Sequence, residues 1–163
     1  MKRLTMLAVV LGLLVVIVSS VSVVGASASQ AVSGSWQFGS LSPISAQPVG
    51  GNCIIELGYT QNYLGDLDGT VTGHVRIVHL GPCDQNAAEV FVSQGTFTGT
   101  VAGASGTFDF QLQGKAIGPQ GSIQGQLIIL AGTGNLASLH GQITLTGQLP
   151  IGGTYSGDIH FES

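Results

Sequence analysis

The stretch GTFTGTVAGASGTFDFQLQGKAIGPQGSIQG, residues 95–125, decides the fold. Apolar and polar residues alternate along it with a period of two, the pattern of half-buried strands. Phe97 stands between Gly95 and Gly99 on one face, while Thr96, Thr98 and Thr100 take the other. After a small-residue turn at 102–105 the apolar face moves to even numbers, at Phe108, Phe110 and Leu112. It returns to odd numbers after a Gly118-Pro119 turn, at Ile123, Gly125, Leu127 and Ile129. If each turn closes an antiparallel hairpin, Phe97 faces Phe108, and Phe110 lies between Gly95 on one side and Gly125 on the other. A large ring covering glycines on its neighbouring strands is a way to build a tightly curved sheet.

The same alternation places the other strands. A first strand is expected at 33–39 (SGSWQFG), followed by a long connection at 40–51 that contains Pro43 and Pro48. Strands at 52–63 and 70–80 flank Gly65-Asp66-Leu67-Asp68-Gly69, a strong turn signal. Strands at 89–101, 106–116 and 121–130 come next, then 136–148 and 153–161. In the last pair Ile143 faces Gly157 and Gly141 faces Ile159, so the large-against-glycine pairing recurs. Eight antiparallel strands in up-and-down order, with one apolar and one Thr/Gln face, predict an all-β barrel, because closure removes the edges. A β-sandwich is the second architecture compatible with this pattern.

The chain's first 28 residues read as a leader outside the fold. Lys2 and Arg3 form a positive start, residues 4–18 are apolar apart from Thr5 and Gly12, and Ala26-Ser27-Ala28 offers a small-x-small cleavage site. Because apolar character continues to Val24, an uncleaved anchor is the competing reading. The expected domains are therefore a signal peptide at 1–28 and a β-barrel at 29–163, and the expected location is secreted or in the cell envelope. From residue 29 only Arg76 and Lys115 are basic, against eight acids, a formal net charge of −6. That balance argues against nucleic acid and against an anionic membrane surface as partners. Roughly 135 residues suffice for one domain with a real core.

Cys53 and Cys83 in an exported chain are expected to form a disulfide. Folding the 52–63 and 70–80 strands so that Tyr63 faces Gly73 also sets position 53 opposite position 83. Zinc is the alternative use of two cysteines, but no paired His spacing accompanies them. Metal and cofactor are both expected to be absent.

The second half of the chain resembles the bacterial barrel families of unknown function that share the allene oxide cyclase-like fold. The residues carrying the resemblance are GTFTG at 95–99, GTGNLASLHG at 132–141 and YSG at 155–157. It covers about residues 93–161. Relatives of that fold include plant cyclases and the dirigent proteins, which hold a small apolar molecule inside the barrel and steer its ring closure or coupling. The resemblance implies the architecture; the plant cyclases' catalytic residues do not map onto this chain.

On the face shared with Phe97 and Phe108 the alternation places Tyr59, Gln61, Tyr63, His79, Glu89 and Ser93. His79 and Glu89, near one mouth, are the candidate acid/base pair; the plainer reading is that both are hydrogen-bonded strand ends beside the disulfide. Tyr59, Tyr63, His79, Ser93 and Tyr155 are the candidate ligand-binding residues. His74, His140 and His160 fall on the Thr/Gln face and read as surface histidines. Asp66-x-Asp68-Gly69 has part of a calcium loop but lacks its third oxygen ligand and distal Glu, and reads as a turn. The rows Thr96-x-Thr98-x-Thr100 and Thr144-x-Thr146 are what any exposed strand prefers. Gly132-Thr133-Gly134 has no following helix and so is not a phosphate loop.

Two functions fit. The first is a non-catalytic exported barrel that binds a small apolar ligand or serves as an envelope or surface module. The second is a cofactor-free isomerase or cyclase acting in the lumen. The lack of a nucleophile–base set favours the first, and an eight-stranded lumen is either filled or just able to hold one small ligand.

Overall fold

The computed structural model describes residues 28–117 and 121–162. The expected leader, but for its last residue, and the Gly118-Pro119 turn lie outside them. Eight strands follow one another, β1 (Gln30–Val49), β2 (Asn52–Gly65), β3 (Leu67–His79), β4 (Ala88–Val101), β5 (Ala104–Ile117), β6 (Ser122–Gly134), β7 (Leu139–Gln148) and β8 (Gly152–Phe161). Each pairs antiparallel with the next, and β1 pairs with β8, so the sheet closes into a barrel. Closure leaves two ends. One carries the β2–β3, β4–β5 and β6–β7 turns, the other the β1–β2, β3–β4 and β7–β8 connections.

The register of the 95–117 hairpin is set by a two-residue turn. Ala102 and Gly103 have φ of 49° and 86°, the positive values that match the twist of the flanking strands. Val101 then pairs with Ala104, and Phe97 faces Phe108. Phe110 faces Gly95, as the alternation requires, but Gly125 is opposite Gly114 instead. Phe110 faces Ile129, four positions beyond Gly125, and the bulge between Asp109 and Phe110 adds a one-residue step in the ladder toward Gly106.

Rings over glycines recur around the barrel. A methyl group added at Gly95 would stand 2.9 Å from the Phe110 ring, one at Gly69 2.9 Å from Phe97 and one at Gly73 2.7 Å from Tyr59. Gly114 lies under Phe91 and Gly147 under Trp36 in the same way. These glycines give the rings room to lie along the inner wall, and so let a narrow barrel hold them.

Three strand and turn expectations are also corrected. Residues 40–51 are not a connection: β1 continues to Val49 and turns through Gly50-Gly51, both at positive φ. Its prolines are tolerated because β1 pairs with β8 only up to Gln37, leaving Leu41–Val49 bonded to β2 alone. A proline nitrogen facing an open edge loses no ladder bond. The β2–β3 register also differs, since Tyr59 rather than Tyr63 faces Gly73, and Tyr63 faces Gly69. The turn uses only the Gly65-Asp66 corner, with Gly65 at φ 118°, and Leu67 is already core at 1% exposure. Asp66 instead accepts the Ser33 N–H at 2.7 Å. Third, β7 begins at Leu139, and Leu136 belongs to the preceding turn, whose fully buried side chain plugs that end of the barrel.

Cys53 is opposite His79, not Cys83. The disulfide to Cys83 nonetheless forms, across 30 residues, because the chain after β3 folds back over the end of β2. It agrees with a compartment outside the reducing cytosol.

Candidate functional site: a half-open lumen

Inward side chains fill one half of the barrel and line the other. In the filled half Phe97 and Phe108 stack with ring centroids 4.7 Å apart, and Tyr63 meets Phe97 edge-on at 6.2 Å. Trp36, Leu67, Leu139, Ile143 and Ile159 complete this layer, all at 1% exposure or less. Tyr155 lies here too. Its hydroxyl accepts the Leu67 N–H at 2.7 Å and turns its own proton toward the carbonyls of Leu67 and Leu64.

Beyond Tyr63 the lumen opens into a cavity of about 260 Å³. Its walls come from Leu57 on β2, Val75 and Ile77 on β3, Phe91 on β4, Leu112 and Ala116 on β5 and Ile123 on β6. On the remaining side stand Phe38 and Leu41, from β1 past its last pairing with β8, with Leu149 and Pro150 of the β7–β8 turn. The wall is apolar except for Tyr59, Gln61, Glu89 and Ser93.

Each of these polar groups has a defined partner. Tyr59 Oη and Ser93 Oγ are 2.6 Å apart, and Ser93 Oγ also donates to the His74 carbonyl at 3.0 Å. A serine has one proton, so both contacts are made only if Tyr59 donates to Ser93 and Ser93 to His74. Burial pushes the Tyr59 phenol above its ordinary value, and the bond to Ser93 offsets part of that rise. Gln61, two residues along the same face and 4% exposed, accepts the Tyr63 hydroxyl proton at 3.3 Å through Oε1. Gln61 lines the cavity, and among the described residues its amide nitrogen takes part in no hydrogen bond within the protein.

At the mouth Glu89 Oε1 and His79 Nδ1 are 3.0 Å apart, and His79 Nε2 is 2.8 Å from the Gln85 carbonyl. Both ring nitrogens of His79 are thereby engaged, one of them in holding the 80–87 loop down. Glu89 lines the cavity and His79 does not. Of the expected binding residues, the structure brings Tyr59 and Ser93 together in the cavity wall. Tyr63 and Tyr155 are packed in the filled half, and His79 sits behind Glu89.

Sequence reasoning missed the Phe38, Leu41, Leu149 and Pro150 side of the cavity. Pro43 and Pro48 made the β1 extension look like a loop, and no local signal brings the β7–β8 turn beside it.

Fold and cavity together define a small closed barrel with a half-filled lumen and one apolar, accessible chamber. The chain belongs to the family described as "Protein of unknown function (DUF3224)", whose profile matches residues 32–158. A crystal structure of a DUF3224-family protein of unknown function from Shewanella oneidensis MR-1 superposes with a TM-score of 0.63. It is 21% identical in sequence, and the match covers 83% of this chain and 100% of that one. At that identity the likeness supports the fold alone. No match is found among curated proteins.

Proposed function

We propose that this protein is an exported, non-catalytic barrel that binds one small apolar molecule in the open half of its lumen. The observation that carries the reading is the 260 Å³ chamber with its apolar wall and few convergent polar groups, the usual form of a small-molecule site. A 150 Å³ cavity holds benzene, so this one suits a guest with about ten non-hydrogen atoms, more if part of it projects from the mouth. The reading keeps the resemblance to allene oxide cyclase-like and dirigent-like barrels as one of holding a guest, not of transforming it. Among the described residues Ser93 has no base beside it and both ring nitrogens of His79 are engaged, which favours holding a guest over attacking it. Export is part of the same proposal and is supported by the disulfide.

A neutral fluorescent probe of that size such as 2-naphthol, titrated into the purified protein, should bind with a negative heat-capacity change. Ser93→Trp and Ile123→Trp, which put a ring into the chamber from two different strands of its wall, should each abolish binding while circular dichroism keeps its β signature. If the wild type does not bind, or both folded variants bind as well as it does, the barrel is a structural module of the envelope or surface.

A further inference from the structure

The polar groups of the chamber are not interchangeable, and counting their protons says what kind of guest they fit. Tyr59 has one hydroxyl proton and it goes to Ser93, whose own proton goes to the His74 carbonyl. Toward the lumen Tyr59 therefore presents only oxygen lone pairs. Gln61 is the reverse: its carbonyl oxygen accepts from Tyr63, and its amide nitrogen offers protons to the chamber. The two lie at alternate positions on one face of β2 and both line the cavity. Gln61 is a buried side chain whose donor has no protein partner among the described residues and is not sealed off, so a guest or water in the cavity it lines has to meet it.

We infer that Tyr59 and Gln61 select a neutral apolar guest whose head group both gives and accepts a hydrogen bond, an alcohol or a primary amide. The inference rests on the binding function proposed above and names its ligand class. A ketone of the same shape satisfies Gln61 but leaves Tyr59 facing a second acceptor. A carboxylate meets the Tyr59 lone pairs with negative charge, in a chamber that Glu89 also lines and whose wall is apolar but for Tyr59, Gln61, Glu89 and Ser93. Desolvating a charge there is costly. Because burial keeps the Tyr59 phenol protonated, neither is a phenolate available to hold a cationic head.

The test is calorimetric titration of the full protein with octanol, octanamide, octanone and octanoate, which share a chain and differ in head group. Octanol and octanamide should bind about tenfold more tightly than octanone, the difference made by roughly one hydrogen bond, and octanoate should bind most weakly. Ser93→Ala releases the Tyr59 proton toward the lumen, so octanone should gain and the octanol preference should shrink to about twofold or less. Tyr59→Phe should weaken octanol and bring it level with octanone, a split that a merely structural role would not give. If none of the four binds, the binding function itself fails. If all four bind alike, or octanoate binds best, or Ser93→Ala leaves the octanol-to-octanone ratio unchanged while folded, the binding function stands and the head-group selection is overturned.

Discussion

The two ends of this barrel are built from the same eight strands with the same alternation, yet one is packed solid and the other encloses a chamber. At the closed end, turns are short and Leu136 folds inward over stacked rings. At the mouth, β1 outruns its partner β8, and the wall is completed by half-exposed aliphatics and the Leu149-Pro150 turn. Leu41, Ile44, Val49, Leu80, Ile117 and Ile151 are exposed around that mouth, whereas toward the closed end Leu64 and Leu130 are the large apolar side chains exposed among the described residues. The lesson is a division of labour along the barrel axis. Rings lie over glycines in both halves, Tyr59 and Phe91 in the chamber wall included, but only in the closed half do they also stack on one another across the lumen.

The sharpest way to break this comparison is to truncate one apolar side chain in each half. Phe110 is 2% exposed and covers Gly95, so Phe110→Ala should cost about 3–5 kcal/mol in a urea unfolding curve. Leu41→Ala, at a position 46% exposed on the chamber's rim, should cost less than about 1 kcal/mol. Equal losses would mean that the two halves carry stability alike.

A smaller effect should come from the clamp at the mouth. Cys53–Cys83 closes a loop of 30 residues, and the chain-entropy estimate for such a loop is about 3–4 kcal/mol. The urea midpoint of the double variant Cys53→Ala/Cys83→Ala should fall accordingly, and added reductant should then shift the variant no further. A midpoint unchanged in the variant would show that the mouth holds itself closed without the cross-link.

How much of this was legible in the sequence follows from what a period of two can say. It reports which face a residue takes, so Tyr59, Gln61, Tyr63, Glu89 and Ser93 were all placed inward, as they are. It does not report depth along the axis. Tyr59 and Tyr63 have the same pattern around them, but the first lines the chamber and the second fills the closed half. Register was readable where the turn was unambiguous, as at Ala102-Gly103, and failed where turn formers outnumbered the turn. In Gly65-Asp66-Leu67-Asp68-Gly69 the strand resumes at Leu67, because that side chain has a place in the core. The chamber's open side came from residues distant in sequence, joined only by barrel closure.

The smallest effect, and the one that sharpens the comparison between halves, is alkaline. Burial is the main cause that raises the Tyr63 phenol above its ordinary value, with Tyr59 and Tyr155 adding charge repulsion. Burial likewise leads for Tyr59, but there the Ser93 bond works against it. A phenol that ionises less readily in the fold than in the unfolded chain leaves the unfolded state with fewer bound protons at high pH. Its stabilising contribution is therefore complete below the unfolded value of 10.0 and is lost as pH rises above it. Near one pH unit above that value, each tyrosine that stays protonated in the fold should cost about 1.4 kcal/mol. Tyr63→Phe should flatten the alkaline limb by about that amount, and Tyr59→Phe by less, since its wall faces the chamber. Phenolate absorbance follows the same titration in the folded protein. A Tyr63 that ionises at its ordinary value there would mean that water reaches the closed half, and that the barrel is open along its whole length.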